Sequence, residues 1–235
     1  MIKHIDVIDS TSRYLMDHPD WFDNLDVISA SHQTAGLGRT GHSWVDNHNE
    51  NILFSIIIKD KKLVDSFKLL SISMGVIILN FLKGYMYEDN LSLKWPNDVM
   101  VKDKKICGIL LQGRLPNYVV IGVGLNVNQT EFKGVENATS LSLELGKMFD
   151  IERMRTVFIE YVVSQLKNYD SFKNTIIENF NNHNYLLRKE ITYFNALTNS
   201  EEEGVALGIN DNGELLVSQG ERITPLSSSE VSKIK

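Results

Sequence analysis

Residues 32–44 read H-Q-T-A-G-L-G-R-T-G-H-S-W, and the fold turns on that stretch. Gly36, Gly38 and Gly41 surround a single arginine, Arg39, and Trp44 closes the segment. Glycines let backbone amides approach an anion closely, so the stretch outlines a phosphate or carboxylate cradle. A strand pattern at 27–31 runs straight into it. After it, residues 51–59 form an isoleucine-rich run suited to a sheet interior, followed by a buried helix.

Towards the N-terminus, residues 2–8 alternate as a strand, and D-S-T-S at 9–12 gives a capping signal for a helix over 13–17. Ser10 or Thr11 is the cap, although hydroxyls at a helix start equally suit a polar substrate head. Towards the C-terminus, residues 64–82 are the longest apolar stretch. Asp65, Lys68, Ser71, Ser73 and Asn80 within it make a buried helix the better reading than a membrane span. Short strands follow at 91–95, 99–101 and 106–112, with W-P-N-D at 95–98 as a turn. Residues 118–127 are an apolar strand containing G-V-G-L-N. The third glycine of a dinucleotide fingerprint is missing, so Gly122 and Gly124 let a ligand or a neighbouring strand pack on bare backbone. Residues 151–169 carry an amphipathic helical stripe, a shorter helix covers 175–182, and 190–234 is a chain of short β segments broken by turn residues. The expected architecture is α+β: a mixed sheet with helices packed on one face over residues 1–186, then a small β-barrel domain over 187–235.

The chain has 235 residues, 43% hydrophobic and 23% charged, as in an ordinary globular protein. A net charge of -6 with a pI near 5.5 argues against a general nucleic-acid or acidic-membrane binder. Any cationic site must be local. Cys107 is the only cysteine, and the six histidines form no H-x-x-x-H pair, which excludes a disulfide framework and a cysteine-rich metal site. Residues 1–12 contain no uninterrupted apolar core, so no signal peptide and a cytoplasmic location are expected.

Arg39, Lys94 and Lys105 lie near turns or loops, and a fold that gathers them would attract a polyanion. A carboxylate substrate with a nucleoside triphosphate supplies one, the cations stabilising charge that develops during phosphoryl or nucleotidyl transfer. Lys105 reads equally as a solvated member of K-D-K-K, and Asp98 as a metal ligand, a base or a turn residue. No G-x-S-x-G elbow and no G-x-x-x-x-G-K-[ST] loop exists, and Cys107 lies in a strand pattern where a small buried thiol is expected.

Five motifs can be read together: D-S-T-S at 9–12, Q-T-A-G-L-G-R-T-G-H-S-W at 33–44, K-W-P-N-D at 94–98, K-I-C-G-I-L at 105–110 and G-V-G-L-N at 122–126. Their order and spacing closely resemble biotin protein ligases, and the resemblance covers almost the whole chain. Residues 204–217, G-V-A-L-G-I-N-D-N-G-E-L-L-V, look like that family's SH3-like domain. The resemblance implies a two-step reaction. Biotin and Mg-ATP give biotinyl-5′-adenylate and pyrophosphate, and a lysine of a biotin carboxyl carrier protein or domain then attacks the adenylate. By similarity, Ser10, Thr11, Ser12 and Gln33 bind the biotin head, Gly36, Leu37 and Gly38 belong to the loop over it, and Gly108, Gly122 and Gly124 line its pocket. Arg39 holds phosphate, and Lys105 contacts the biotin carboxylate and the adenylate phosphate. Trp44, Lys94, Asn97 and Asn126 serve the nucleotide with Arg39 and Lys105, and Asp98 orients or deprotonates the incoming lysine. The Mg2+ ligands stay unassigned.

The resemblance also implies that the glycine loop orders over the labile adenylate. Two departures stand out. Leu37 and His42 occupy positions where arginines are common in the family loop, and the chain begins at the catalytic strand, so no operator DNA binding is expected. Dimerisation stays open. The rival readings are a lipoate or octanoate ligase, whose R-R-x-x-G-G-G-type loop is absent here, and a non-catalytic biotin-binding sensor, against which Arg39 and Lys105 both speak.

Overall fold

Two strands that are buried along their whole length set the centre of the molecule. The computed structural model describes residues 1–135 and 137–234, without the side chains of Thr40, Ser232 and Lys233. Its first sheet contains Ile2–Ile8 (β1), Val27–Gln33 (β2), Asn51–Ile58 (β3), Leu91–Lys94 (β4), Asp98–Val101 (β5), Lys104–Arg114 (β6) and Tyr118–Asn126 (β7). The order is β1-β2-β3-β7-β6-β5-β4. β1 and β2 pair in parallel and the remaining neighbours antiparallel. All residues of β3 and β7 are buried, which is why both read as nearly continuous apolar runs.

Alternation then assigns the faces. Ile52, Phe54, Ile56 and Ile58 of β3, with Ile121, Val123 and Leu125 of β7, share one core with Phe67–Leu82 (α3) and Ile151–Lys167 (α5). The apolar stretch at 64–82 is therefore helical and buried. It breaks at Ser66, where Lys61–Asp65 (α2) ends. On the opposite face helical cover is confined to one end: Leu15 of Thr11–Asp17 (α1) packs with Ile28, Ile57, Tyr118 and Val120. The long helices thus lie on one face as expected, while short α1 lies on the other and leaves the rest of that face open for a site. A short helix that the sequence did not signal, Leu141–Leu145 (α4), starts at Ser140, which accepts from Leu143 N, and stops at Gly146 with φ 65°.

Glu190–Asn195 (β8), Ser200–Ile209 (β9), Leu215–Gln219 (β10), Arg222–Leu226 (β11) and Val231–Ile234 (β12) form a second, antiparallel sheet in the order β11-β10-β9-β8-β12. Its buried residues, among them Ile191, Tyr193, Val217 and Leu226, are continuous with the core of the first sheet. Between it and α3 stands Ile176–Asn182 (α6), whose Asn181 bonds both backbone groups of Ile209. No helix among the described residues is long and apolar enough to cross a membrane.

Trp95 joins the two sheets: it is 2% exposed, and its indole N–H donates to the Gly213 carbonyl at 2.9 Å. Trp95→Phe removes that donor and strands a carbonyl, which should cost about 1–3 kcal/mol and lower Tm by roughly 2–4 °C per kcal/mol. An unchanged thermal midpoint by calorimetry would show that this contact does not hold the second sheet in place.

Candidate active site

The open face of the first sheet presents Val120, Gly122, Gly124 and Asn126 along β7, because the odd-numbered residues point to α3 and α5. Gly108 of β6 pairs directly with Gly124. These glycines make a bare strip, and other elements lie on it too closely for a side chain. A Cβ at Gly122 would stand 2.5 Å from Ser12 Oγ, one at Gly124 2.5 Å from Cε2 and Cζ2 of Trp44, and one at Gly108 2.8 Å from Trp44 Cζ3 and 3.0 Å from Lys105 Nζ. Along the strip there is thus a hydroxyl end, an indole and an ammonium.

The hydroxyl end is uncharged and fully knit. Ser10 caps α1 by accepting from Arg13 N, leaving Thr11 and Ser12 buried at the helix start. Gln33, the last residue of β2, accepts from Thr11 N at 2.8 Å and from Thr11 Oγ1 at 3.0 Å. Ser55 Oγ lies 2.8 Å from both Thr11 Oγ1 and Ser12 Oγ. Ser55 belongs to this cluster although no sequence pattern marks it, since it lies inside the isoleucine-rich run.

At the other end, a β-bulge aims Lys105. Val99 pairs with Cys107 but Met100 with Lys105, so Ile106 is the extra residue. Ile106 and Cys107 both face the core, fully buried, and the side chain of Lys105 turns onto the glycine face. Two backbone bonds hold it there, Lys105 N to Asn137 O at 2.7 Å and Thr139 N to Lys105 O at 2.9 Å. Lys105 Nζ makes an ion pair with Asp98 Oδ1 at 2.7 Å and lies 5.6 Å from the Trp44 ring centroid. Arg39 donates to Asn97 Oδ1 at 3.4 Å, to the carbonyl of Ser228 in the turn before β12 at 2.6 Å and to that of Val231 at the start of β12 at 3.3 Å. Lys94 Nζ donates to Ile234 O at 3.4 Å. Burial lowers the pKa of both Arg39 and Lys94 and the Asp98 carboxylate opposes it; Lys105 and Lys189 add to the lowering at Lys94. Three cations therefore face one carboxylate.

The glycine loop folds back on itself above the strip. Trp44 N donates to Gly36 O at 3.0 Å and Gly38 N to His42 O at 2.7 Å, around a turn at Arg39–Gly41 where Gly41 takes φ 80°. Gly36 packs against the Trp44 carbonyl and stands outside the strip.

Most of the residues singled out in the sequence meet here. Ser10, Thr11, Ser12, Gln33, Leu37, Gly38, Arg39, Trp44, Asn97, Lys105, Gly108, Gly122 and Gly124 line one cavity. An adjoining cavity is walled by Arg39, Trp44, Lys94, Asn97, Asp98 and Lys105, with Val231 and Ile234 of the second sheet. Trp44, expected on the nucleotide side, stands between the two. Asn126 ends the glycine row, buried, and donates its amide to Thr139 O, which braces the turn behind Lys105. Burial pushes the Cys107 thiol pKa up, so it is no thiolate nucleophile.

A slot with a neutral polar head, an apolar floor and a cationic mouth is the arrangement of an enzyme that activates a small carboxylic acid against a polyphosphate, an ATP-dependent ligase. Residues 4–126 match the Biotin/lipoate A/B protein ligase family, and the chain belongs to that family. It is 28% identical over 210 residues to the biotin–[acetyl-CoA-carboxylase] ligase of Mycobacterium tuberculosis, covering 87% of this chain and 77% of the relative. It is 27% identical over 239 aligned positions to the bifunctional ligase/repressor BirA of Escherichia coli, covering 96% and 72%. The fold is shared with the biotin protein ligase from Aquifex aeolicus in complex with biotin and ATP, at a TM-score of 0.82, 24% identity and coverage of 100% of this chain and 98% of the other.

Proposed function

We propose that this protein joins biotin to ATP, forming biotinyl-5′-AMP and pyrophosphate, and then passes biotin to a lysine of a biotin carboxyl carrier domain. In the first step a biotin carboxylate oxygen attacks the α-phosphorus and pyrophosphate leaves. In the second, the lysine amine attacks the acyl carbon, AMP leaves and an amide forms. The observation that carries this reading is the sequence of groups along one slot: the uncharged set of Thr11, Ser12, Gln33 and Ser55 at the closed end, bare glycine backbone beneath, and Lys105 at the mouth. Biotin has the matching order, a hydrogen-bonding ureido head, an aliphatic tail and a carboxylate.

Each group then has a task. Ser10, Thr11, Ser12 and Gln33 hold the head, and Gly108, Gly122 and Gly124 let the tail lie on the sheet. Lys105 and Arg39 stabilise the charge that grows on the phosphate as the carboxylate attacks. Lys94 and Asn97 face the polyphosphate chamber, with Trp44 and Asn126 on the nucleotide side, and Asp98 receives the acceptor lysine. Asp98 is the one carboxylate on the second cavity and is already paired with Lys105; no cluster of three metal-ligating side chains occurs among the described residues. Mg2+ fits this site as the counter-ion of the triphosphate, arriving with substrate.

Lipoate offers a dithiolane in place of the ureido group and would make no hydrogen bond to the polar set at the closed end, whose members would have only one another as partners. Exchange of labelled pyrophosphate into ATP, with magnesium and no acceptor, should therefore proceed with biotin and not with lipoate or octanoate. Exchange with the fatty acids alone would move the protein to the other branch of its family. Biotin binding without exchange would make it a sensor.

A further inference from the structure

Both stems of the glycine loop meet at one side-chain pair, half-buried His32 and buried Asp46, that lines no part of the slot. Asp46 stands two residues after Trp44, its side chain fully buried. Asp46 Oδ2 lies 2.8 Å from His32 Nδ1 and 3.4 Å from the backbone N–H of Gln33, while Oδ1 is buried without a partner. One carboxylate thus ties the stem after the loop to the last two residues of β2. A backbone bond from Asn49 N to Ser31 O at 2.9 Å runs beside it.

A buried carboxylate is costly where packing alone would do, and burial accordingly raises the pKa of Asp46 against the pull of His32 and Gln33. Its partners say what it does. Gln33 takes the Asp46 contact on its main chain and gives its side-chain oxygen to Thr11, so the head of the slot is fixed from behind. On the other stem the carboxylate fixes the chain just past Trp44, the residue lying on Gly124. We infer that His32 and Asp46 are a positioning pair that holds the loop in its biotin-binding geometry, setting Gln33 and Trp44 at the same time. This rests on the ligase reading above and adds two residues to it, neither touching substrate. Three further titratable groups surround the pair: His48, 6.5 Å from the His32 ring and 3.0 Å from Asp6; Asp6 itself; and His4, held by Ser29 and Ser31. His4 in turn lies in the field of Arg155 and Glu152. Because each has its own partner, the pair is expected to act as a fixed hydrogen-bonded strut.

The test uses the full chain and follows biotin binding by calorimetry beside the kinetics of pyrophosphate exchange. Loss of a charge-assisted hydrogen bond corresponds to about ten- to a hundredfold in affinity. Asp46→Ala should raise the biotin Kd and KM by about that factor and the ATP KM by less, because only Trp44 of the two residues it sets also borders the second cavity. Asp46→Asn keeps an acceptor for the His32 N–H and should recover most of the loss; His32→Ala, at a half-exposed position, should reproduce it even if Asp46→Ala fails to fold. A lower Tm with unaltered biotin KM in both alanine variants would reduce the pair to a structural tie and overturn the inference. If the unaltered protein binds no biotin, the ligase reading itself falls; if it binds biotin and the variants bind it equally well, only this inference does.

Discussion

Lys105→Ala should reduce biotin-dependent pyrophosphate exchange by on the order of 100- to 1,000-fold, the size seen when one donor aimed at developing charge is removed. Two effects add in the same direction. The variant loses a cation that the bulge at Ile106 holds over the glycine strip, and it leaves Asp98 as an unpaired carboxylate beside the path of two incoming anions. Biotin affinity should fall much less, because the head of the molecule is held at the other end of the slot by Gln33 and the hydroxyls. The second effect can be separated from the first. Adding Asp98→Asn to Lys105→Ala removes the stranded charge and should restore about tenfold of the exchange rate, the equivalent of roughly 1.4 kcal/mol. Exchange by Lys105→Ala within tenfold of the parent protein would remove Lys105 from the proposed chemistry.

Lys105 also shows where the sequence stops being readable. A lysine within K-D-K-K is by composition a solvated residue, and only the register slip between Val99 and Met100 shows that the strand turns it inward. The glycine strip was legible, because Gly122 and Gly124 two apart on an apolar strand must share one face. What lies on them was not: Trp44 and Ser12 come from chain segments about 80 to 110 positions away, joined through the strand order. Ser55 was hidden for a different reason, since in a strand covered on both faces polarity no longer alternates, and one serine among isoleucines reads as noise. The bonds from Arg39 to Ser228 and Val231 run from the glycine loop to the end of the chain, about 190 positions on, and no local pattern announces such a contact. Val231 and Ile234 also wall the cavity that Arg39, Lys94 and Lys105 share, so the second sheet has a part in its lining.

Gly124→Val should close the slot, and its effect on biotin should be the largest of any change outside the charged groups. The β-carbon alone would stand 2.5 Å from two atoms of the Trp44 indole and 3.0 Å from a third. A rigid bicyclic ring cannot yield as the end of a flexible chain would. Nor can its backbone retreat: Trp44 N is bonded to Gly36 O, the Trp44 carbonyl lies 2.7 Å from where a Gly36 side chain would begin, and Asp46 fixes the chain two residues on. The added volume must therefore either rotate the indole off the strip or part the loop from the sheet, with an overpacking cost of about 1–3 kcal/mol. Taken from loop closure, that range corresponds to about 5- to 150-fold in biotin affinity, with the upper part expected because valine also intrudes on the floor on which the tail lies. The sheet itself should persist, since Gly124 pairs through its backbone with Leu53 and Gly108, and valine is at ease in a central strand. The measurement is biotin titration by calorimetry with near- and far-ultraviolet circular dichroism on the same sample. Intact secondary structure, an altered tryptophan signal and a weakened Kd would mean that the indole and the tail share this floor. A Kd within threefold of the parent would mean that biotin lies elsewhere, and the glycine row would then be a packing feature between strand and loop.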